Sequence, residues 1–270
     1  MQCVELARKT GFANAYLSTL EGRIALRESG HAKAVELFRT AVQLSEAEYR
    51  PRDAWPHFYL GRSLLKIGET EEAIDVLYKG DEIVTGGRRP DKRLALAIRT
   101  QLLVAYVYSE NWEAAKEIAE LIGSEHSRNP EVIWALTLYR VATNKYEKPD
   151  EVIKATLRQL DPAEAKDRYQ RSQVHLFRAF MFLGLDELSR ASDEFSRAHA
   201  ADSTNVFVML RWAQTLVGLA HESGADDEPE TARHCAEHAK TLAEKVLEFD
   251  HKNEEALRIL ESLSDDFNVT

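Results

Sequence analysis

The chain has 270 residues, 44% apolar and 30% charged, with 12 Gly, 7 Pro and 2 Cys, a globular composition that excludes collagen-like, disulfide-scaffold and disordered classes. Its best apolar runs, residues 102–108 and 132–139, fall far short of the ~18 residues of a membrane span. A formal charge of −10 disfavours non-specific nucleic-acid binding, and two distant cysteines, Cys3 and Cys235, offer no disulfide framework and fit a reducing, cytoplasmic compartment.

Residues 1–12, with Glu5, Arg8 and Lys9, read as a short helical cap or the remnant of a preceding unit, and lack the features of a secretion signal. From residue 13 the chain falls into helix pairs. In the first, Gly22 is followed twelve residues later by Ala34, with Ala25, Phe38 and Ala41 beyond the two anchors. The second repeats the offset at Gly61 and Ala73, followed by Leu64, Leu77 and Gly80; the third at Leu103 and Ala115, followed by Tyr106, Ala119 and Ile122. A fourth pair around Val152 is weaker, because Arg140 stands where a small residue is expected and Pro149 interrupts the turn. The fifth returns with Ala179 and Ala191, then Phe182, Phe195 and Ala198. The sixth, around Ala239, carries an insertion, Gly224-Ala225-Asp226-Asp227-Glu228-Pro229, which predicts an exposed loop. Residues 253–263 read as a capping helix for the last apolar face, and 264–270 as a tail.

Offsets of three and four place these residues on one helix face, and small residues let two helices cross closely. Gly30, Gly68, Asn111 and Gly184 fall at bends inside pairs, while Pro51, Pro56, Pro90, Pro130, Pro149, Pro162 and Pro229 fall in connectors or helix starts, where proline is tolerated. No alternating strand segment stands out. The expected architecture is all-α: one domain of helix pairs over residues 13–250 with a C-terminal cap.

These residues resemble the tetratricopeptide-repeat family, built of helix-turn-helix units of ~34 residues. The likeness is fullest in the second unit: Leu60-Gly61, Leu64, the turn Gly68-Glu69-Thr70-Glu71-Glu72-Ala73, then Leu77 and Gly80. The fifth follows with its exit from Asp202 to Asn205, the third with Asn111-Trp112-Glu113-Ala114-Ala115, and the sixth with Asp250-His251-Lys252-Asn253. The second-helix anchors Ala34, Ala73, Ala115, Val152, Ala191 and Ala239 are spaced by 39, 42, 37, 39 and 48 residues, all longer than the family period. The resemblance implies an α-solenoid of about six antiparallel helix pairs in a right-handed superhelix, acting as a protein-binding scaffold.

No catalytic motif survives inspection: Gly-x-Gly-x-x-Gly, the Lys-Ser/Thr phosphate loop, His-Glu-x-x-His and Gly-x-Ser-x-Gly are all absent. Gly86-Gly87-Arg88-Arg89-Pro90-Asp91-Lys92 reads as a basic connector, and Ser124 with His126 has no third partner. His234, Cys235 and His238, with His221 on the partner helix, come nearest to a metal set, but no carboxylate or Cys-x-x-Cys completes it. Asn268-Val269-Thr270 matches a glycosylation acceptor without a secretion signal. The expectation is a non-enzyme with no metal or cofactor.

In such a superhelix the first helix of each pair lines the concave groove. Counting from the small anchors turns Thr19, Arg23, Leu26 and Arg27 inward, then Phe58, Arg62, Leu65 and Lys66, with Tyr16, Trp55 and Trp134 one turn earlier. Later helices offer Thr100, Val104, Val107 and Tyr108, then Leu176, Phe180 and Leu183, then Leu210, Gln214 and Val217. The candidate groove residues are therefore Tyr16, Arg23, Arg27, Trp55, Phe58, Arg62, Lys66 and Trp134, basic and aromatic at the N-terminal end and apolar at the other. Arginine grips carboxylates bidentately and aromatics dominate binding hot spots, so the expected partner is a protein or peptide segment, acidic with an apolar anchor. The competing assignment puts Leu26, Leu65 and Trp55 in the core and pairs the arginines with Glu28 and Glu69. Thr19 and Arg23 stand where the family's chaperone-tail binders carry lysine and asparagine, so chaperone tails are not expected. Two other readings are a regulatory or sensor segment of a larger signalling protein and an RNA-contacting solenoid using Arg88, Arg89, Lys92 and Arg93, which the net charge opposes. The end helices leave self-association open.

Overall fold

A computed structural model of the chain describes residues 14–28, 30–47, 53–87, 90–123, 129–143, 148–225 and 228–267. Outside them fall the expectations on residues 1–12, Pro51, Arg88, Arg89, Ser124, His126 and 268–270, as do the side chains of Arg27 and Glu28. The described residues form thirteen α-helices and one 3₁₀ turn, with no strand. Contacts divide the chain into two compact units, Met1–Asn144 and Lys145–Thr270.

The N-terminal unit contains α1 (Ala15–Glu28), α2 (Gly30–Ala47), α3 (Trp55–Ile67), α4 (Thr70–Thr85), α5 (Lys92–Tyr108), α6 (Trp112–Gly123) and α7 (Pro130–Thr143). Each helix packs on the next, and α1 also packs on α3, α3 on α5 and α5 on α7. The small anchors sit where helices of a pair cross. A Cβ on Gly22 would lie 2.4 Å from Phe38 Cε1, and one on Gly61 would lie 2.3 Å from Leu77 Cγ; these bulky residues fill the space that glycine leaves. Ala34, Ala73 and Ala115 are fully buried opposite. Inside the second pair Gly68 takes the left-handed φ of 87° that closes α3, as glycine does without steric cost. In the third pair Glu110 takes that conformation, and Asn111 caps α6 by accepting the Ala114 N–H.

The C-terminal unit contains α8 (Pro149–Gln159), the 3₁₀ turn Pro162–Glu164, α9 (Arg168–Leu183), α10 (Leu188–Ala201), α11 (Val206–Ala225), α12 (Pro229–Phe249) and α13 (Glu254–Phe267). Ala179, Ala191, Phe195, Ala198 and Ala239 are fully buried at its crossings. In the turn between α9 and α10 the left-handed residue is Asp186, two positions beyond Gly184.

Three expectations change. The fourth pair is divided: α7 closes the first unit and α8 opens the second, as the exposed Arg140 and the helix-starting Pro149 allow. The insertion around Gly224 lengthens helices, leaving little loop, since α11 runs to Ala225 and α12 starts at Pro229; buried Ala220, Ala232 and Ala236 continue the close crossing. The capping helix extends from 263 to Phe267, whose ring rests against His221 at 4.9 Å.

Candidate functional site

On α3, Trp55, Tyr59, Arg62 and Lys66 recur at offsets of four, seven and eleven, and on α1 Tyr16, Leu20, Arg23 and Arg27 stand 39 residues earlier in the same register. Such offsets define one stripe per helix. The Arg23 guanidinium carbon lies 5.5 Å from the Tyr59 ring centre, within cation–π range, so the two stripes meet on one side of the unit. Beneath them the Phe38 ring stacks on Tyr59 at 5.4 Å and 13°, and Trp55 stacks on Tyr59 at 5.7 Å and 27°. Phe58 meets Trp55 edge-on at 5.8 Å.

The sequence-derived residues divide accordingly. Tyr16 is 66% and Trp55 40% exposed; Arg23 and Lys66 are exposed and Arg62 is half-buried. Phe58 is buried and supports Trp55, and Trp134 is half-buried against the core of the unit. The position three before each anchor is buried in all five first helices, at Thr19, Phe58, Thr100, Leu176 and Leu210. Counting from the anchors missed Tyr59, although its place four residues after Trp55 is a readable signal.

Among the described residues, no carboxylate reaches ion-pair distance of Arg23 or Arg62, Glu69 included, whereas Arg39 grips Glu72 at 2.6 Å and Arg99 grips Asp81 at 2.9 Å. On the opposite face of α3 from the stripe, His57 is fully buried, with neither ring nitrogen hydrogen-bonded. Its Nε2 stays 3.8 Å from Glu46 Oε1, and burial holds its pKa below the ordinary histidine value. The Lys79 ammonium, bonded to Glu46 at 2.5 Å, keeps that carboxyl below its ordinary value.

No protein-family model and no curated protein matches the chain. Among solved structures it is similar to TTC0263, a thermophilic TPR protein of Thermus thermophilus, at 16% identity and a TM-score of 0.53 over 78% of this chain and 99% of that one. It is also similar to a chain of the APC/C hetero-tetramer Cut9-Hcn1, at 12% identity and a TM-score of 0.51 over 93% of this chain and 43% of that one. The chain has the tetratricopeptide-repeat fold.

In the C-terminal repeats the equivalent face is internally neutralised. Phe180 and Phe207 lie 6.1 Å apart, and Arg211 sits 5.2 Å over Phe207 while reaching Glu255 at 3.5 Å. Behind it, Glu194 is buried and accepts from His175 Nδ1 at 2.6 Å, Arg178 Nε at 3.0 Å and Arg197 at 3.2 Å. Burial opposes its ionisation, but the hydrogen bonds from His175 and Arg178 outweigh that and hold the carboxyl below its ordinary value. Arg178 also donates to the Leu157 and Leu160 carbonyls at 3.0 Å each, tying the end of α8 to these repeats.

His221 turns to Asp266 and Phe267, His238 packs edge-on to Trp212 at 4.6 Å, and His234 is exposed. Among the described residues no three His, Cys, Asp or Glu are grouped to hold a metal ion, and no helix is long and apolar enough to cross a membrane. Cys235 is free and half-buried, and burial raises its thiol pKa, which weakens it as a nucleophile.

Proposed function

We propose that this protein is a non-catalytic interaction scaffold that holds an acidic segment of a partner protein on the first-helix face of its N-terminal repeats. The observation that carries the reading is the pair Arg23 and Arg62, in equivalent register on adjacent helices and without a carboxylate among the described residues, beside the exposed rings of Tyr16 and Trp55. Guanidinium groups lacking an internal carboxylate bind a ligand carboxylate without first breaking an ion pair. Exposed aromatic rings add apolar area at low entropic cost. Lys66 extends the cationic end of the stripe. A cytoplasmic location suits the free thiol of Cys235.

The test is selection of a random-peptide display library against the whole protein, repeated with Arg23→Glu, Arg62→Glu and Lys66→Glu combined, after circular dichroism and urea unfolding establish that the variant is folded. Peptides rich in Asp and Glu that bind the wild type and not the variant are the expected outcome. Peptides without acidic enrichment, or retained equally by both proteins, would contradict the reading.

A further inference from the structure

The N-terminal face consists of two rows. Tyr16 and Trp55 form one and Arg23 and Arg62 the other, separated along each helix by seven residues, about 10 Å at 1.5 Å per residue. From α1 to α3 each row repeats once, across the roughly 8–10 Å between packed helix axes. The Tyr59 ring, with Trp55 on one side and Arg23 over it, lies between the rows. Both rows end at α5, where the equivalent positions are the half-buried Ala97 and the buried Val104.

A segment crossing α1 and α3 between these rows meets aromatic rings on one flank and guanidinium groups on the other. An extended ligand sends successive side chains to opposite sides, at a rise of about 3.3 Å per residue. Residues two apart then lie about 7 Å from one another on the same flank, within reach of long arginine side chains on neighbouring helices.

We infer that this face takes an extended segment of about four to five residues in which Asp or Glu alternate with aromatic, proline or aliphatic residues. The carboxylates meet Arg23 and Arg62, and the apolar side chains lie on Tyr16 and Trp55. This rests on the acidic-segment reading above and adds conformation, pattern and length to it. Proline suits the apolar positions because its ring stacks on an indole and it holds the residue before it in the extended region that alternation requires.

The test compares two fluorescein-labelled peptides of identical composition and charge by anisotropy with the whole protein. The first, Glu-Pro-Asp-Phe-Glu-Pro-Asp-Phe, alternates; the second, Glu-Asp-Glu-Asp-Pro-Phe-Pro-Phe, is blocked. The alternating peptide is expected to bind about tenfold more tightly or better. Trp55→Ala and Arg62→Glu should each remove most of that advantage, while Trp55→Phe, which keeps a ring, should retain it. Equal affinity for the two peptides overturns the alternation and leaves the acidic-segment reading standing. Binding of neither peptide overturns both. An advantage that survives Trp55→Ala and Arg62→Glu overturns the assignment to these rows.

Discussion

In the N-terminal unit the exposed Arg23 and the half-buried Arg62 have no carboxylate within ion-pair distance among the described residues, whereas in the C-terminal unit Arg211 is held by Glu255 and Arg178 by the buried Glu194. The charges follow the same division. Met1–Asn144 carries 19 Lys and Arg against 20 Asp and Glu, and Lys145–Thr270 carries 16 against 25, so nearly all of the net −10 belongs to the second unit. Both units are built from the same close helix crossings. The first, held by small anchors and stacked rings, leaves Arg23 and Arg62 without a carboxylate among the described residues; the second pairs Arg178 and Arg211 with carboxylates, and Arg178 fastens the short α8.

The largest effect that would break this contrast is expected at Glu194. Glu194→Ala strands Arg178 and His175 in a largely buried site, and losing one partner of a buried charge network costs about 3–5 kcal/mol. Urea unfolding reads it; a cost below about 1 kcal/mol would mean that the network does not hold the second unit.

Next comes Gly61→Val. Its Cβ would sit 2.3 Å from Leu77 Cγ, and overpacking of this kind costs about 1–3 kcal/mol. The same measurement tests it, and an unchanged midpoint would mean that α3 and α4 move apart freely.

Trp55→Ala sharpens the contrast on the binding side. Truncating an aromatic anchor costs about 2 kcal/mol of affinity, read by titration with an acidic peptide selected by the protein. A comparable loss from Phe207→Ala in the second unit, with Trp55→Ala silent, would reverse the assignment.

The smallest expected effect is acid sensitivity. His57 has a folded-state pKa below its ordinary value of 6.5 because burial disfavours its charged form. The unfolded chain therefore binds the proton more readily. Stability is full above about pH 6.5, declines as pH falls through that value, and levels off below the folded-state pKa. Glu46, Asp53 and Lys79 surround the group and tune this decline. His57→Leu removes this share of the slope, measured as urea midpoints between about pH 7 and pH 5. His199 and His238 are shifted the same way by burial and keep their share in the variant. Glu194, shifted below its ordinary value, adds a separate loss that begins only as pH falls below about 4.5.

Much of the fold was legible because close helix crossings leave a mark in sequence. Gly22 with Phe38 and Gly61 with Leu77 are spaced as the packing requires, and both contacts exist. The break after α7 was not legible: Arg140 and Pro149 mark the fourth pair as weak within a single expected domain, whereas the contacts divide the chain there. The site was legible only in part. Counting from an anchor gives the face of one helix, but Phe58 is buried where helices meet, and Tyr59 matters because Phe38 of α2 and Arg23 of α1 close on it. Of the Glu194 network only the i,i+3 pair with Arg197 is local; its other partners His175 and Arg178 lie 19 and 16 residues away and left no pattern.

The most direct test of the central claim is hydrogen–deuterium exchange on the whole protein with and without a saturating acidic peptide obtained by selection against it. New protection concentrated in α1 and α3, and lost in Arg23→Glu/Arg62→Glu, is the result the account predicts. Protection in α9 and α11 with α1 and α3 unchanged would contradict it.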